Sequence, residues 1–161
     1  MRNFILLFVT ALFVGCTSSG VQVTTDDEKS QAIKAAYDGY LVNDFTASNE
    51  LYSDETAIYI NSVETISNEE NLAAFSSHHD FYSDISMSRT YIQTSAYDND
   101  LGTWTHAWFV WKGTGKASGN TYEVPCHVAY QRGDDGKVVQ TWFFSDQSNH
   151  LKELAAAGVE L

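Results

Sequence analysis

His106 and His127 are the side chains best suited by type to move a proton near neutral pH, because an imidazole changes charge between about pH 5 and 8. They stand in two stretches of high β propensity, 104–112 and 122–131, and a third such stretch covers 137–144. The turn Gly133-Asp134-Asp135-Gly136 sets one hairpin register. If Arg132 pairs with Lys137, His127 lies opposite Trp142. A longer loop punctuated by Gly113, Gly115, Gly119 and Asn120 joins the first two strands. If Lys112 pairs with Thr121 across it, His106 lies opposite His127. Side chains alternate with period two, so Trp104, Trp108 and Phe144 share the histidine-bearing face. Asp146 has the same parity but lies about 13 Å beyond Trp142 along the strand. An imidazole pair walled by aromatics, with Asp146 at its end, describes acid–base catalysis. It equally describes core or dimer-face residues with satisfied hydrogen bonds, and Asp146 equally caps the turn into a last helix.

His78-His79-Asp80 is the other cluster with chemical potential. Adjacent helical residues point about 100° apart, so the two imidazoles do not face one ion from a regular helix. A zinc site needs further ligands placed convergently. No metal and no cofactor is expected. No phosphate loop, Ser-His-Asp order or Cys-His pair rises above chance in the sequence. Beyond Cys16 the one remaining cysteine is Cys126, so no disulfide can form within the domain, and its apolar neighbours point to a buried thiol.

The elements that must position these groups can be read from periodicity. Thr25 with Glu28 three residues later has the form of a capping box. Ile33, Ala36, Tyr37, Tyr40 and Leu41 then recur at helical spacing on one apolar face. That face is expected to pack on the histidine-bearing side of the sheet, which brings Tyr37 and Tyr40 into a pocket with Trp104, Trp108, Trp142 and Phe144. A short helix is expected over 45–52 and a strand over 57–60. Ser67 and Glu70 form a second capping box opening a helix toward His79. The 88–97 segment is β-rich, and a short helix over 150–157 ends the chain. Helices first and an antiparallel meander after them give an α+β fold, a cone of helices on a curved sheet around a pocket.

The chain's beginning has a separate logic. Arg2 is followed by an apolar run from Phe4 to Val14 and then Gly15-Cys16, the pattern of a secretory signal. The run is shorter than the roughly 20 residues needed to cross a bilayer. Phe13-Val14-Gly15-Cys16 resembles a lipobox, with Phe where Leu is usual. The organisation expected is a signal peptide over 1–15, a lipidated tether over 16–24 attached at Cys16, and one domain over 25–161. An ordinary signal peptide with an incidental cysteine is the alternative. The lipid reading places the domain in a bacterial cell envelope, facing the periplasm or the exterior. A formal net charge of −12 repels phosphate backbones, so nucleic acid is not an expected partner.

Asn43-Asp44-Phe45 leading to Leu51-Tyr52-Ser53-Asp54-Glu55 resembles the nuclear transport factor 2-like superfamily. The ending Gly136-Lys137-Val138-Val139-Gln140-Thr141-Trp142 with Asp146 resembles its polyketide-cyclase-like (SnoaL-like) branch. The resemblance implies a helix-lined cone with a pocket, in a superfamily of isomerases, dehydratases, cyclases, epoxide hydrolases and non-catalytic binders. It also implies a pocket carboxylate at Asp146. Steroid isomerases of this fold carry a catalytic carboxylate where this chain has Ile60-Asn61, and their second pocket acid falls near His127. The Asp-Arg-Asp set of limonene-epoxide hydrolases cannot be assembled here.

Two functions stay open: a membrane-anchored domain binding a small, mostly apolar ligand or a partner protein, and an enzyme performing cyclisation, isomerisation or hydrolysis in the same pocket. A homodimer is expected through the opposite sheet face, where Ala107, Phe109, Trp111, Val128 and Phe143 leave an apolar surface. Mass spectrometry of the membrane fraction should find an acylated N-terminal cysteine that Cys16→Ser abolishes; cleavage elsewhere with Cys16 unmodified would contradict the anchor.

Overall fold

The computed structural model describes residues 20–160. The signal segment and Cys16 therefore lie outside the described residues. In chain order the elements are β1 (Gln22–Thr24), α1 (Glu28–Leu41), α2 (Thr46–Leu51), β2 (Tyr52–Ile60), α3 (Asn68–Phe81), β3 (Tyr82–Ala96), β4 (Thr103–Gly115), β5 (Thr121–Arg132), β6 (Val138–Ser145) and α4 (Ser148–Ala156). The strands form one curved six-stranded sheet in the order β1-β3-β4-β5-β6-β2. Only the β2–β6 pair is parallel; the other pairs are antiparallel. Helices pack on its inner face, so the α+β cone expected from the element order is the fold observed.

Local chemistry explains where the helices start. The first capping box is displaced from its expected place: Asp27, not Thr25, is the N-cap of α1 and accepts from Lys29 N and Ser30 N at 2.9 and 3.1 Å. The same carboxylate takes the hydroxyl protons of Thr24 and Thr94 at 2.6 and 3.0 Å. It thereby ties the end of β1, the start of α1 and the last residues of β3 together. Gln22 to Thr24, expected as tether, is an edge strand paired with Thr94 to Ala96. The capping box of α3 forms as expected, with Ser67 and Glu70 bonding reciprocally.

Both hairpin registers differ from expectation by an even step. Arg132 pairs with Val138, and past the shift beside it Gln131 pairs with Gln140 and His127 faces Phe144, not Trp142, a step of two. Lys112 pairs with Glu123, and His127 faces Trp108 while His106 faces Ala129. The register shift near Arg132 leaves Val139 unpaired with β5 and accounts for the first difference. An even slip keeps parity, so the residues assigned to each face stay together.

The inward face is the one that sequence reasoning turned outward. Ile33 and Ala36 of α1 pack in one core with Ala107, Phe109, Val124, Cys126, Val128 and Val138. Ala107, Phe109 and Val128 are 0, 5 and 2 % exposed. They and the half-buried Trp111 and Phe143 therefore do not form the outer apolar surface on which a dimer was expected. Cys126 is a free, buried thiol, and burial pushes its pKa up to about 11.

Helix α4 is held by one carboxylate. Glu153 is fully buried and accepts from Ala117 N at 2.8 Å, from Ser118 N at 3.3 Å and from the Ser118 hydroxyl. Gly115 is the residue that admits it, since a Cβ there would occupy the carboxylate's position. Burial raises the Glu153 pKa, but these donors lower it further, and the net direction is down. The carboxylate therefore adds stability that is present above the ordinary glutamate range and is lost as pH falls through its folded pKa. Glu153→Gln should lower the thermal midpoint at pH 7, and the gap to the wild type should narrow below about pH 4. Melts at the two pH values check this; an equal gap at both would contradict it. Asp27→Ala, which removes the cap, should cost about 1 kcal/mol in urea unfolding.

Candidate functional site

Between the sheet's inner face and helices α1, α3 and α4 lies a cavity of about 320 Å³, at the lower end of the range used for small organic ligands. Its middle is apolar: Leu72, Phe75, Met87, Phe109, Val128 and Phe143 line it. Polar groups collect at two places. Deep in the fold, the Tyr37 and Tyr130 hydroxyls meet at 3.0 Å, near Tyr52 and Thr141. Burial raises all three tyrosine pKa values, so these hydroxyls keep their protons. The Thr141 hydroxyl is buried close to Tyr52, and among the described residues no group meets it in good hydrogen-bond geometry.

Toward the rim the cavity meets His78 and His150, whose ring centroids are 5.2 Å apart. Asn71, Phe75, His78 and Tyr82 recur at i, i+4, i+7 and i+11 along and just beyond α3, which turns His78 inward. Trp111 Nε1 donates to the Tyr40 hydroxyl at 2.8 Å, and Tyr40 is bonded to His78 Nδ1 at 2.9 Å. Tyr82 is bonded to His150 Nδ1 at 3.1 Å. Burial, with His150 and His79 adding repulsion, pulls the His78 pKa down to about 4, so the ring is neutral at pH 7. Burial also lowers His150. His150 sits three residues before Glu153 on α4, so the buried carboxylate sets its place over the cavity.

The residues proposed from sequence divide into two groups. Tyr37, Tyr40 and Asp146 line the cavity. Asp146 stands exposed at the rim, where Oδ1 accepts from Ser148 N at 2.9 Å. Hydrogen bonds from Ser148 hold its carboxyl below the usual range. It thus serves the turn into α4 and stays ionised. His106, His127, Trp104, Trp108, Trp142 and Phe144 do not line the cavity; they occupy the outer face of the sheet. The expected nearness of the imidazoles holds: His106 Nδ1 and His127 Nε2 lie 3.2 Å apart, diagonally across β4 and β5. Their neighbours are a series of near-parallel rings, with Trp108 on His127 at 4.8 Å and Trp142 on Tyr59 at 4.0 Å. Burial lowers both pKa values, and His127 lowers His106 further. The wrong face was assigned because the larger aromatics stand outside.

At the position of the isomerase carboxylate, Asn61 is a clamp. Its side chain donates to Ser145 O at 2.9 Å and accepts from Ser145 N at 3.0 Å, closing the end of β2 on β6. His79 Nε2 bonds Tyr40 O at 2.8 Å and does not join His78 in a site. Among the described residues no three His, Cys, Asp or Glu side chains converge as metal ligands. His78 and His150 were missed as a pair. The inward phase of His78 was readable from the helical repeat, whereas no local pattern brings residue 150 to it.

No protein-family model matches the chain, and no curated protein matches it. Solved structures do. IdmH, a proposed polyketide cyclase from Streptomyces antibioticus, is 19% identical, with 83% of this chain and 100% of that chain covered at a TM-score of 0.61. A proposed polyketide cyclase from Xanthomonas campestris is 16% identical over 78% of this chain and 96% of its own, also at 0.61. A protein of ketosteroid isomerase-like fold from Catenulispora acidiphila, solved with trimethylamine, is 16% identical over 85% and 96%, at 0.54. At these identities the likeness is one of fold. The chain folds as these polyketide-cyclase and ketosteroid isomerase-like proteins do.

Proposed function

We propose that this chain is an exported, membrane-anchored domain that binds a small, mostly apolar ligand in its internal cavity. The observation that carries the reading is the cavity itself: an apolar middle with a few polar groups, among them the Tyr37, Tyr130 and Thr141 hydroxyls deep in the fold. The sequence pattern ending at Cys16 supports the anchor. Titration with the neutral dye N-phenyl-1-naphthylamine should give saturable fluorescence enhancement. Leu72→Trp, which fills the cavity, should weaken binding by tenfold or more, whereas Trp108→Ser on the outer face should not. Equal binding by all three proteins would remove the cavity as the site.

A second reading is favoured by the His78–His150 pair beside Tyr82 and Asp146, and by the cyclases among the structural neighbours. In that reading the domain is an enzyme of cyclisation, isomerisation or hydrolysis. His150, partly exposed, is the proton carrier, and Asp146 stays anionic at the rim.

We also propose self-association, through the outer face as the structure now defines it. Tyr91, Trp108 and Phe144 are 50, 37 and 47 % exposed there, and contiguous apolar surface of this kind marks interfaces. Sedimentation at micromolar concentration should show a dimer, and Trp108→Ser with Phe144→Ser should return it to monomer. A monomeric wild type would contradict the proposal.

A further inference from the structure

The chain of hydrogen bonds Trp111–Tyr40–His78 has only one polarity that satisfies every member. An indole N–H donates and cannot accept, so the Tyr40 oxygen receives the Trp111 proton. The phenol has a single proton of its own. Its other close partner is His78 Nδ1, at 2.9 Å. Were Nδ1 protonated, it would also donate to Tyr40, and the phenolic proton of a residue 5 % exposed would have no acceptor. Tyr40 therefore donates to Nδ1. Burial holds the phenol far from ionising and keeps His78 uncharged at neutral pH, so the ring carries its one proton on Nε2. Among the described residues no protein group accepts from Nε2, and the ring lines the cavity.

We propose that His78 presents a fixed Nε2–H donor to the cavity, its tautomer set by Trp111 through Tyr40, and that the ligand places a carbonyl oxygen against it. The inference rests on the cavity being the ligand site. Three properties of the place select that chemistry. The group opposite must accept, since Nε2 has no lone pair to offer a donor. It must be uncharged or nearly so, because the surroundings are Phe75, Trp111, Tyr82 and His150, whose pKa burial lowers, and no Lys or Arg is among the residues lining the cavity. It must also be compact enough to sit among those rings. Donors in series polarise one another, so the relay makes Nε2–H a stronger donor than an isolated imidazole. Trp111 and Tyr40 are positioning residues in this arrangement. His78 itself binds and polarises; it does not withdraw a proton from the ligand at that atom.

Two measurements test this separately. Long-range ¹H–¹⁵N spectra of the free protein at pH 7 should show His78 with a pyridine-type Nδ1 and a pyrrole-type Nε2. Trp111→Phe should convert this into a mixture of tautomers, because the smaller ring leaves room for a water that accepts the phenolic proton and so frees Tyr40 to accept from Nδ1. Should that variant fail to fold, Tyr40→Phe serves the same purpose. A free protein with the proton on Nδ1, or variants with an unchanged tautomer, overturns the relay. Binding is then compared for 9-fluorenone and fluorene, which share a frame and differ by one carbonyl. Fluorenone should bind about fivefold tighter, the weight of one net hydrogen bond, and His78→Phe should abolish the preference. Equal affinity overturns the carbonyl assignment while leaving the cavity as the site. Binding by neither compound overturns the assignment and strikes the cavity reading as well, whatever the spectra show.

Discussion

Everything in this structure follows from which face of β4 the first helix claims. Ile33 and Ala36 dock on Ala107 and Phe109, and the period-two alternation of the strands then leaves no freedom. Thr105, Ala107, Phe109 and Trp111 turn inward with Val124, Cys126, Val128 and Tyr130 of β5. Trp104, His106, Trp108 and His127 turn outward. A helix docked on the other face would have buried the histidines and exposed the cavity wall. The inward choice is dictated by the whole length of the strands: the outer face also carries Lys112, Glu123, Gln131 and Gln140, which a core would have to desolvate. The inner face of β5, in contrast, offers Val124, Cys126 and Val128 in succession.

Within that frame the two ends of the cavity are held by different means. At one end the guanidinium of Arg132, 7 % exposed, donates to Lys29 O at 2.9 Å and reaches the Thr105 hydroxyl at 3.4 Å. Among the described residues no carboxylate pairs with it, and burial lowers its pKa despite nearby Asp27. At the other end Glu153 anchors α4 to the β4–β5 turn through backbone donors, and α4 carries His150. The rim of the cavity thus depends on a buried carboxylate outside the cavity, an arrangement that couples the stability of the last helix to the geometry of the site.

Much of this was legible in the sequence. Helical spacing identified the apolar face of α1, Ser67 and Glu70 marked the start of α3, and turn residues separated the last three strands. The nearness of His106 and His127 was also readable, because an error of two residues in register preserves the face. Which side of the sheet those residues face was not readable from the aromatics alone, since both sides of β4 carry them. The outward face has the more conspicuous ones, Trp104 and Trp108. The pairing of His78 with His150 was not readable either. It joins α3 to α4 across 72 positions of chain, through contacts that no local pattern encodes. The edge strand at Gln22 to Thr24 was hidden for a related reason: three residues beside a polar tether carry too little periodicity to declare a strand.

The central claim is that ligands enter the inner cavity and leave the aromatic outer face alone. The protein's five histidines report on both places: His78 and His150 at the cavity, His106 and His127 outside. Imidazole spectra recorded while N-phenyl-1-naphthylamine is added to the protein would read the two at once. The account predicts that the His78 and His150 signals move with saturation while those of His106 and His127 stay still. Movement of His106 and His127 with His78 unmoved would contradict it.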